Sequence, residues 1–328
     1  MTNETIVDLF RKIGLGTVIP PVLPVSGGFL HRMYRVNTEH GAYAVKHLNP
    51  EILQRPAAME NFRRAEALEA VLEQSGIPIV AAMTFDGHKM QELDGAYFYI
   101  FPWQNGTTTD WYHTSVEQCR IAGNIQGRIH AISSRQITKP EPEASTVDWN
   151  GYIKAAFAQN SEIAPLLQEN KALLEYAQAA LREARAALPG IECIVNEDMD
   201  PKNVMWDGEQ PAVIDLECLK YGNPVSSAMQ LSLQWAGGTI CDLDFGKLEA
   251  FFNGYLEAYD NGFRAYDQVF GLAYTWIEWL EYNIKRALNQ NLDETERELG
   301  RSEVRHTLAR IRYLRDMEDR IQQHLRIG

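Results

Sequence analysis

The sequence predicts an α+β fold in two lobes, with a small antiparallel-sheet N-lobe that contains one helix and a larger, mainly helical C-lobe. Residues 18–47 contain short apolar or alternating runs separated by the turn sequences SGG and EHG, which is typical of consecutive antiparallel strands. From residue 115 onward, apolar residues recur with the spacing of amphipathic helices. One strand-rich segment, residues 191–217, interrupts this helical region. These patterns place the main sheet early in the chain and most helices after it.

The elements of the N-lobe follow from local patterns. Residues 5–13 place their apolar side chains on one face of a short amphipathic helix. Residues 57–75 are rich in Ala, Leu and Glu and predict the long helix of the lobe. This helix ends at Ser75-Gly76, because glycine readily adopts the left-handed conformation that closes a helix. The aromatic run AYFYIFPW, residues 96–103, predicts the last strand.

The sequence QNG at 104–106 marks the predicted boundary between the lobes. It divides the chain into an N-lobe of residues 1–103 and a C-lobe of residues 104–328. In the C-lobe, apolar spacing predicts helices at 115–132 and 172–188. A proline and a glycine follow the second of these helices, so it is expected to end there.

The composition argues against several classes of protein. The chain of 328 residues is 45% hydrophobic and has a formal charge of −13, from 31 basic and 44 acidic residues. This balance argues against a nucleic-acid partner, because such binding needs a basic surface. No apolar run approaches the roughly 20 residues that span a membrane, and the first residues lack the apolar core of a signal peptide. Four widely spaced cysteines indicate reduced thiols. We therefore expect a cytoplasmic protein without a membrane partner; the sequence does not indicate its oligomeric state.

The segment at 191–217 has the clearest chemical pattern. Asp198 and Asn203 lie five residues apart across a proline-containing loop, and Asp215 follows the apolar strand that returns after a turn. A loop and a returning strand can direct two carboxylates and an amide to one point, and such oxygen ligands suit Mg²⁺. Alternatively, Asp198 is a turn residue and Asp215 merely ends a strand. The third acid at hairpin spacing favours the cation site.

A second pattern lies in the N-lobe. Ser26, Gly27 and Gly28 separate two strand-like runs, and Lys46 stands at the end of the apolar strand AYAVK. Glycines allow a backbone to approach phosphate groups closely, and a lysine supplies a compact positive charge to their oxygens. Each feature alone has a simpler interpretation, as a hairpin turn and a solvated strand lysine.

Together these residues resemble the aminoglycoside phosphotransferase and choline-kinase-like family of the protein-kinase-like superfamily. The order of features matches from about residue 20 to about residue 320: glycine loop, strand lysine, helix glutamate, linker, catalytic loop and metal aspartate. The resemblance implies a protein-kinase-like fold. It also implies a phosphotransferase that uses Mg²⁺ and ATP or GTP, with an alcohol group as acceptor.

The resemblance also implies a role for each matching residue. Asp198 orients the acceptor hydroxyl and accepts its proton, and Asn203 and Asp215 bind Mg²⁺. Phosphoryl transfer needs these groups because its catalysis consists mainly of alignment and charge neutralisation. The residues implied to bind the nucleotide are Ser26, Gly27, Gly28, Lys46, Glu66, Pro102 and Gln104.

Among the implied nucleotide-binding residues, Lys46 contacts the α- and β-phosphates. The resemblance implies Glu66 as the helix glutamate that pairs with Lys46, because it precedes Gly76 at the family's spacing, although Glu69 lies nearer the apolar face of that helix. The backbone carbonyl of Pro102 and the amide of Gln104 bind the edge of the base. Because backbone groups do this, the sequence does not distinguish ATP from GTP.

The chain departs from the family pattern in the catalytic loop. Asn196 replaces the usual histidine, and Glu197 occupies a position that is usually Gly or Arg. The amide of Asn196 can still support the loop by hydrogen bonds. No activation segment like that of protein kinases follows Asp215, which favours a small-molecule kinase. The alternatives are a nucleotide-binding pseudokinase and a protein kinase.

The acceptor is expected to be a small molecule. Acidic residues near the catalytic aspartate favour a cationic acceptor such as an aminoglycoside or amino alcohol. Trp and Glu side chains of the helix that begins near Trp276 can surround an ammonium group, although tryptophans at this helical spacing are more often core residues and the glutamates are usually solvated. Glu197 can equally pair with an arginine. The candidate acceptor residues are Glu197, Asp200, Glu278 and Glu281.

Overall fold

The structure is a computed structural model that describes residues 3–25, 31–138 and 146–326. Its helices are α1 (Asn3–Ile13), α2 (Pro50–Leu53), α3 (Ala58–Gln74), α4 (Val116–Ser133), α5 (Trp149–Ala158), α6 (Ile163–Glu169), α7 (Lys171–Ala186), α8 (Pro224–Trp235), α9 (Phe245–Ala258), α10 (Trp276–Leu288) and α11 (Glu294–His324). Its strands are β1 (Val18–Val25), β2 (Arg32–Thr38), β3 (Gly41–His47), β4 (Gln91–Leu93), β5 (Ala96–Pro102), β6 (Thr107–Thr108), β7 (Arg135–Gln136), β8 (Ile191–Asn196), β9 (Val204–Asp207), β10 (Gln210–Val213) and β11 (Leu219–Gly222).

The chain divides into two compact units. The first unit consists of Met1–Thr109 and Lys202–Lys220, and the second consists of Asp110–Pro201 and Tyr221–Gly328. The first unit contains the main sheet, and the second contains most of the helices. The predicted α+β fold, with its early antiparallel sheet and later helical part, is confirmed.

The main sheet of the first unit is antiparallel, with the strand order β1-β2-β3-β5-β4. The strands form because short runs of β-branched and aromatic residues alternate between the two sides of the sheet. Helix α1 packs its apolar residues into one buried cluster with strand residues, made of Ile6, Leu9, Phe10, Val18, Val36, Val45, Phe98 and Ile100. A second cluster joins the sheet to α3 through Leu48, Phe62, Ala82 and Tyr99. The sheet register places Lys46 opposite Tyr99.

A small hairpin completes the first unit. Strands β9 and β10 pair through a tight turn in which Gly208 has a φ of +60°, a conformation that glycine adopts without steric cost. The end of the hairpin joins the chain that follows α3. The backbone N–H of Val213 donates to Pro78, and its carbonyl accepts from Val80. These bonds fix the chain that leads directly into Asp215.

The second unit is built around one large helical core, which extends from Val147 to Leu325. Helices α4 and α9 approach each other closely because glycines lie at their contact. A Cβ atom on Gly123 would lie 2.0 Å from the carbonyl oxygen of Phe251, and one on Gly254 would lie 1.9 Å from that of Arg120. Strand β7 pairs with β8, which leads towards Asp198.

Candidate active site

Lys46 is the buried cation of the first unit's candidate site. Lys46 lies on β3 and is 6% exposed. Its Nζ lies 2.8 Å from Oδ1 of Asp215 and 2.6 Å from Oε1 of Glu217. Burial alone would lower the pKa of Lys46, but the two carboxylate charges and their hydrogen bonds raise it above its ordinary value. Lys46 is therefore a fixed positive charge, as a lysine that binds phosphate must be.

Glu217 is held from two sides. Its Oε1 accepts from Lys46, and its Oε2 lies 3.1 Å from Nε2 of His31. Burial would raise the pKa of Glu217, but the hydrogen bond from His31 and the charge of Lys46 lower it to about 2. Glu217 is thus a stable carboxylate beside Lys46.

Asn203 and Asp215, the predicted magnesium ligands, are neighbours in the first unit. The backbone N–H of Ile214, just before Asp215, donates to the carbonyl of Asn203 at 2.9 Å. Asp215 has a φ of +58° and a ψ of +65°, in the left-handed region where aspartate occurs more often than most residues. This conformation turns the chain immediately after β10. Its side chain is 40% exposed, and Asn203 is buried.

The donors at Asn203 and Asp215 fit a magnesium ion that completes its shell with water and phosphate oxygens. Among the described residues, no group of three or more His, Cys, Asp or Glu side chains could hold a metal ion. A site with one carboxylate and one amide agrees with this finding. Mg²⁺ prefers such partial protein coordination, because it gives up its water ligands reluctantly.

The expected ion pair between Lys46 and Glu66 is replaced by other contacts. Lys46 pairs with Asp215 and Glu217, whereas Glu66 accepts the hydroxyl of Tyr99 at 2.7 Å. Both Lys46 and Glu66 line the same cavity of about 20 Å³, which has room for one water molecule. The alternative residue is also engaged elsewhere, since Glu69 binds Lys89 at 2.5 Å and the N–H of Ala82 at 2.7 Å.

The other predicted nucleotide residues are placed as follows. Ser26, Gly27 and Gly28 lie outside the described residues. Pro102 is exposed at the end of β5, opposite Tyr43, and Gln104 follows it in a half-buried position. Their roles at the base remain predictions.

The predicted catalytic loop around Asp198 lies within the second unit. The side-chain oxygen of Asn196 accepts the backbone N–H of Asp198 at 3.2 Å, so the amide supports the loop where the resemblance implies a histidine. The indole of Trp235 donates to the carbonyl of Met199 at 2.8 Å from a fully buried position. Asp200 is also buried, and Glu197 is half-buried. The loop is therefore fixed on both sides of Asp198.

Comparison with known proteins identifies the family. A family model described as "Phosphotransferase enzyme family" matches residues 21–269. The chain belongs to the phosphotransferase enzyme family. The predicted resemblance and the predicted phosphotransferase activity are thereby confirmed.

The relatives of this phosphotransferase are distant. It is 24% identical over 248 residues to Stress response kinase A of Shigella flexneri, covering 70% of this chain and 71% of that protein. It is 22% identical over 246 residues to the Serine/threonine protein kinase RdoA of Salmonella typhimurium, with the same two coverages. The crystal structure of spectinomycin phosphotransferase in complex with ADP and spectinomycin matches with a TM-score of 0.66 at 13% identity, covering 97% of this chain and 94% of that one. At this identity the structural match shows the fold alone.

Two candidate acceptor residues of the phosphotransferase, Glu278 and Glu281, have basic partners on the second unit. Glu278 pairs with Arg185 at 2.6 Å. Glu281 accepts from Tyr152 at 2.7 Å and pairs with Lys285 at 2.9 Å. These contacts neutralise both carboxylates, so they add little net negative charge to their surroundings.

The aromatic residues of α10 divide between surface and core. Trp279 and Tyr282 are 41% and 45% exposed and stack with their ring centroids 5.3 Å apart. The Trp279 indole donates to Glu303 at 3.0 Å. Trp276 lies under the guanidinium of Arg310 at 4.8 Å, and Ile284 is fully buried.

Three contacts of the site were missed by the sequence analysis: those of His31, Glu217 and Trp235. Glu217 had a visible signal, because it follows Asp215 by two residues and adds a second acid after an apolar strand. His31 stands three residues after the glycine pair, but nothing in its surroundings marks it as a partner of Glu217. Trp235 lies in a helix whose apolar pattern predicts only that this side chain belongs to the core.

Proposed function

We propose that this phosphotransferase transfers the γ-phosphate of ATP or GTP, with Mg²⁺, to a hydroxyl group of a small amine-bearing acceptor. The observation that carries the proposal is the pairing of Lys46 with Asp215 beside Asn203 in the first unit. A phosphate-binding cation and a pair of oxygen ligands for a metal are the two parts that bind a nucleoside triphosphate.

Each residue then has one task. Lys46 offers a buried, permanently charged ammonium to the phosphate oxygens, and Asn203 and Asp215 hold Mg²⁺. The bound metal would supply neutralisation of the charge on the phosphate oxygens. Asp198 accepts a hydrogen bond from the acceptor hydroxyl, orients it towards the γ-phosphorus and takes its proton. Asn196 and Trp235 hold the loop so that this carboxylate keeps one position.

Negative charge on the protein supports an amine-bearing acceptor. Glu278 and Glu281 are neutralised by Arg185 and Lys285 and give little support. Support comes instead from Glu197, Asp198 and Asp200, three acids within four residues, and from a net charge of −13. A negative field raises the local concentration of a cationic substrate.

A protein hydroxyl is the second candidate acceptor. It is favoured by one relative, the Serine/threonine protein kinase RdoA of Salmonella typhimurium, at 22% identity. The small-molecule acceptor is preferred because no activation segment follows Asp215 before α8 begins at Pro224.

Thermal unfolding with and without Mg-ATP or Mg-GTP tests the nucleotide site. Ligand at about 100 times its dissociation constant adds roughly 2.7 kcal/mol of stability. We expect one or both nucleotides to raise the unfolding temperature of the wild type, and Asp215→Asn to remove the shift. Asp207→Asn changes an exposed aspartate of the same hairpin and is the matched control, which should keep the shift.

Transfer is then measured with labelled nucleotide against amino alcohols, aminoglycosides and a peptide library. The proposal expects transfer to an amine-bearing alcohol that Asp198→Asn lowers by about 100-fold or more, with nucleotide binding retained. Transfer to peptides alone would establish the second candidate. Nucleotide binding without transfer to any acceptor would indicate a pseudokinase, and absence of any nucleotide shift would refute the proposal altogether.

A further inference from the structure

Lys46 has more negative charge around it than its own burial requires. One carboxylate would balance one ammonium, yet Asp215 and Glu217 both lie within 2.8 Å of Nζ. The two acids differ in their other contacts. Asp215 has a 40% exposed side chain, and Lys46 is the hydrogen-bond partner found for that side chain among the described residues. Glu217 has a 24% exposed side chain and is bound through both oxygens.

His31 fixes the second oxygen of Glu217 in a defined direction. The backbone N–H of Asn49 lies 3.0 Å from Nδ1 of His31 and can only donate, so Nδ1 is the acceptor. With Nδ1 accepting, Nε2 is the ring nitrogen that donates to Oε2 of Glu217. The result is a connected set of contacts in which Asn49 donates to His31, and both His31 and Lys46 donate to the carboxylate of Glu217.

Such a set of contacts gives Glu217 the properties of a positioning residue. A lysine has a long flexible side chain, and holding its ammonium in one place needs a partner that is itself immobile. Glu217 is immobile because Lys46 and His31 bind its two oxygens. Asp215 cannot serve Lys46 alone if it also binds a metal, and Glu66 is engaged with Tyr99.

We infer that Glu217, oriented by His31, positions Lys46 for the nucleotide phosphates and takes the task that the resemblance gives to the helix glutamate. The inference rests on the proposed function. It assigns no contact between Glu217 or His31 and the nucleotide itself. Their effect on binding must therefore pass through Lys46 and must depend on the presence of phosphate groups.

Nucleotide binding by three glutamate variants tests the role of Glu217. Binding of Mg-ATP and Mg-GTP, and of adenosine and guanosine, is measured by calorimetry or competition for Glu217→Gln, Glu66→Gln and Glu192→Gln. Glu192 is the matched control, because its side chain is also 24% exposed and also pairs with one basic residue, Arg135. Loss of a charged hydrogen bond predicts about 10-fold weaker binding of the triphosphate to Glu217→Gln, with the nucleoside affected less than about 2-fold.

The outcomes separate this inference from the proposed function. A wild type that binds neither triphosphate refutes the proposed function and the inference together. A wild type that binds, with a loss in Glu66→Gln equal to or larger than that in Glu217→Gln, overturns the inference alone. Equal weakening of triphosphate binding and nucleoside binding in Glu217→Gln also overturns the inference, because a general structural defect would weaken both.

His31 is tested by rescue. Gln can place an amide N–H near the position of the histidine Nε2, whereas Ala supplies no donor. We expect His31→Ala to weaken triphosphate binding about 10-fold and His31→Gln to restore most of it. Unfolding temperatures without ligand identify a variant that fails to fold. If a His31 variant fails to fold, nucleotide binding by Glu217→Gln still tests the role of Glu217. Equal binding by wild type and a folded His31→Ala would overturn the role of His31.

Discussion

Two buried lysines of the first unit balance their charge in different ways. Lys46 contacts Asp215 and Glu217, whereas Lys89 is 9% exposed, binds the buried Glu69 and lies 3.9 Å from Oε2 of the exposed Glu73. Glu69 is 7% exposed and also accepts the N–H of Ala82. Lys46 has two carboxylates within 2.8 Å, one of them with a 40% exposed side chain, whereas the one close carboxylate found for Lys89 is buried. We therefore assign Lys89 to stability and Lys46 to function.

Lys89→Met is expected to destabilise the protein by about 3 to 5 kcal/mol, because it leaves the carboxylate of Glu69 buried without a counter-ion. The double variant Lys89→Met/Glu69→Gln should recover much of this loss, since a neutral Gln can still accept the N–H of Ala82. Urea unfolding of the wild type and the variants measures the difference. A single variant within about 0.5 kcal/mol of the wild type would show that the pair contributes little.

The sequence could identify Lys46 but not its partners. A lysine at the end of an apolar strand is visible locally, as are Asp198, Asn203 and Asp215 in their loop and strand. The partners of Lys46 lie 169 and 171 residues further along the chain. Lys46 pairs with these two acids and not with Glu66 because of tertiary contacts. Tyr99 lies opposite Lys46 in the sheet and binds Glu66. The spacing of residues along one helix does not show that Tyr99 binds Glu66.

At the scale of elements, the helices that have clear end signals were predicted best. Residues 57–75 correspond to α3 at Ala58–Gln74, because a charged, Ala-rich run before Ser75-Gly76 has both a pattern and an end. Short strands such as β6 and β7 have two residues each and no pattern of their own. They form because the tertiary structure brings each of them beside another strand, β9 beside β6 and β8 beside β7.

Glycines allow the close contact between α4 and α9. Gly254→Ala would place a methyl group 1.9 Å from the carbonyl oxygen of Arg120, so the helices must separate. We expect a loss of about 1 to 3 kcal/mol, the usual cost of overpacking. Urea unfolding by circular dichroism measures it.

Gly246→Ala is the control within the same helix. Its added Cβ would meet only Oδ1 of Asp244 at 3.2 Å, and alanine is the better helix former. This variant should therefore be neutral or slightly more stable than the wild type. Equal losses in the two variants would mean that the close approach of α4 and α9 is not the cause.

At the scale of the whole molecule, the division of the chain could not be predicted from composition. The predicted N-lobe of residues 1–103 lies within the first unit, which also contains Lys202–Lys220. Nothing in the composition of that segment assigns it to the sheet rather than to the helices around it in sequence. None of the described helices is long and apolar enough to cross a membrane.

The pH dependence of unfolding is expected to report His130. This residue is fully buried, with Nδ1 2.9 Å from the hydroxyl of Tyr255, and burial lowers its pKa to about 3. The unfolded chain binds a proton near pH 6.5 that the native protein does not, so stability falls as the pH drops below 6.5. At pH 5 the loss is about 2 kcal/mol.

Urea unfolding at pH 7 and pH 5 measures this loss, in a range where most carboxylates stay ionised. His130→Gln removes the titrating group and should flatten the dependence. His88→Gln changes an exposed histidine and should leave the dependence as in the wild type. A dependence that His130→Gln does not reduce would show that other groups cause it.

The late entry of Lys202–Lys220 into the first unit has a consequence for synthesis on the ribosome. Val213 bonds to Pro78 and Val80, which precede it by more than 130 residues. The first 109 residues emerge without β9, β10, Asn203 and Asp215, so the first unit stays incomplete while α4, α5, α6 and α7 are translated. Such distant pairing slows folding and prolongs the time during which the first unit is incomplete. We therefore expect nascent chains shorter than about 220 residues to depend more on chaperones than the completed protein does.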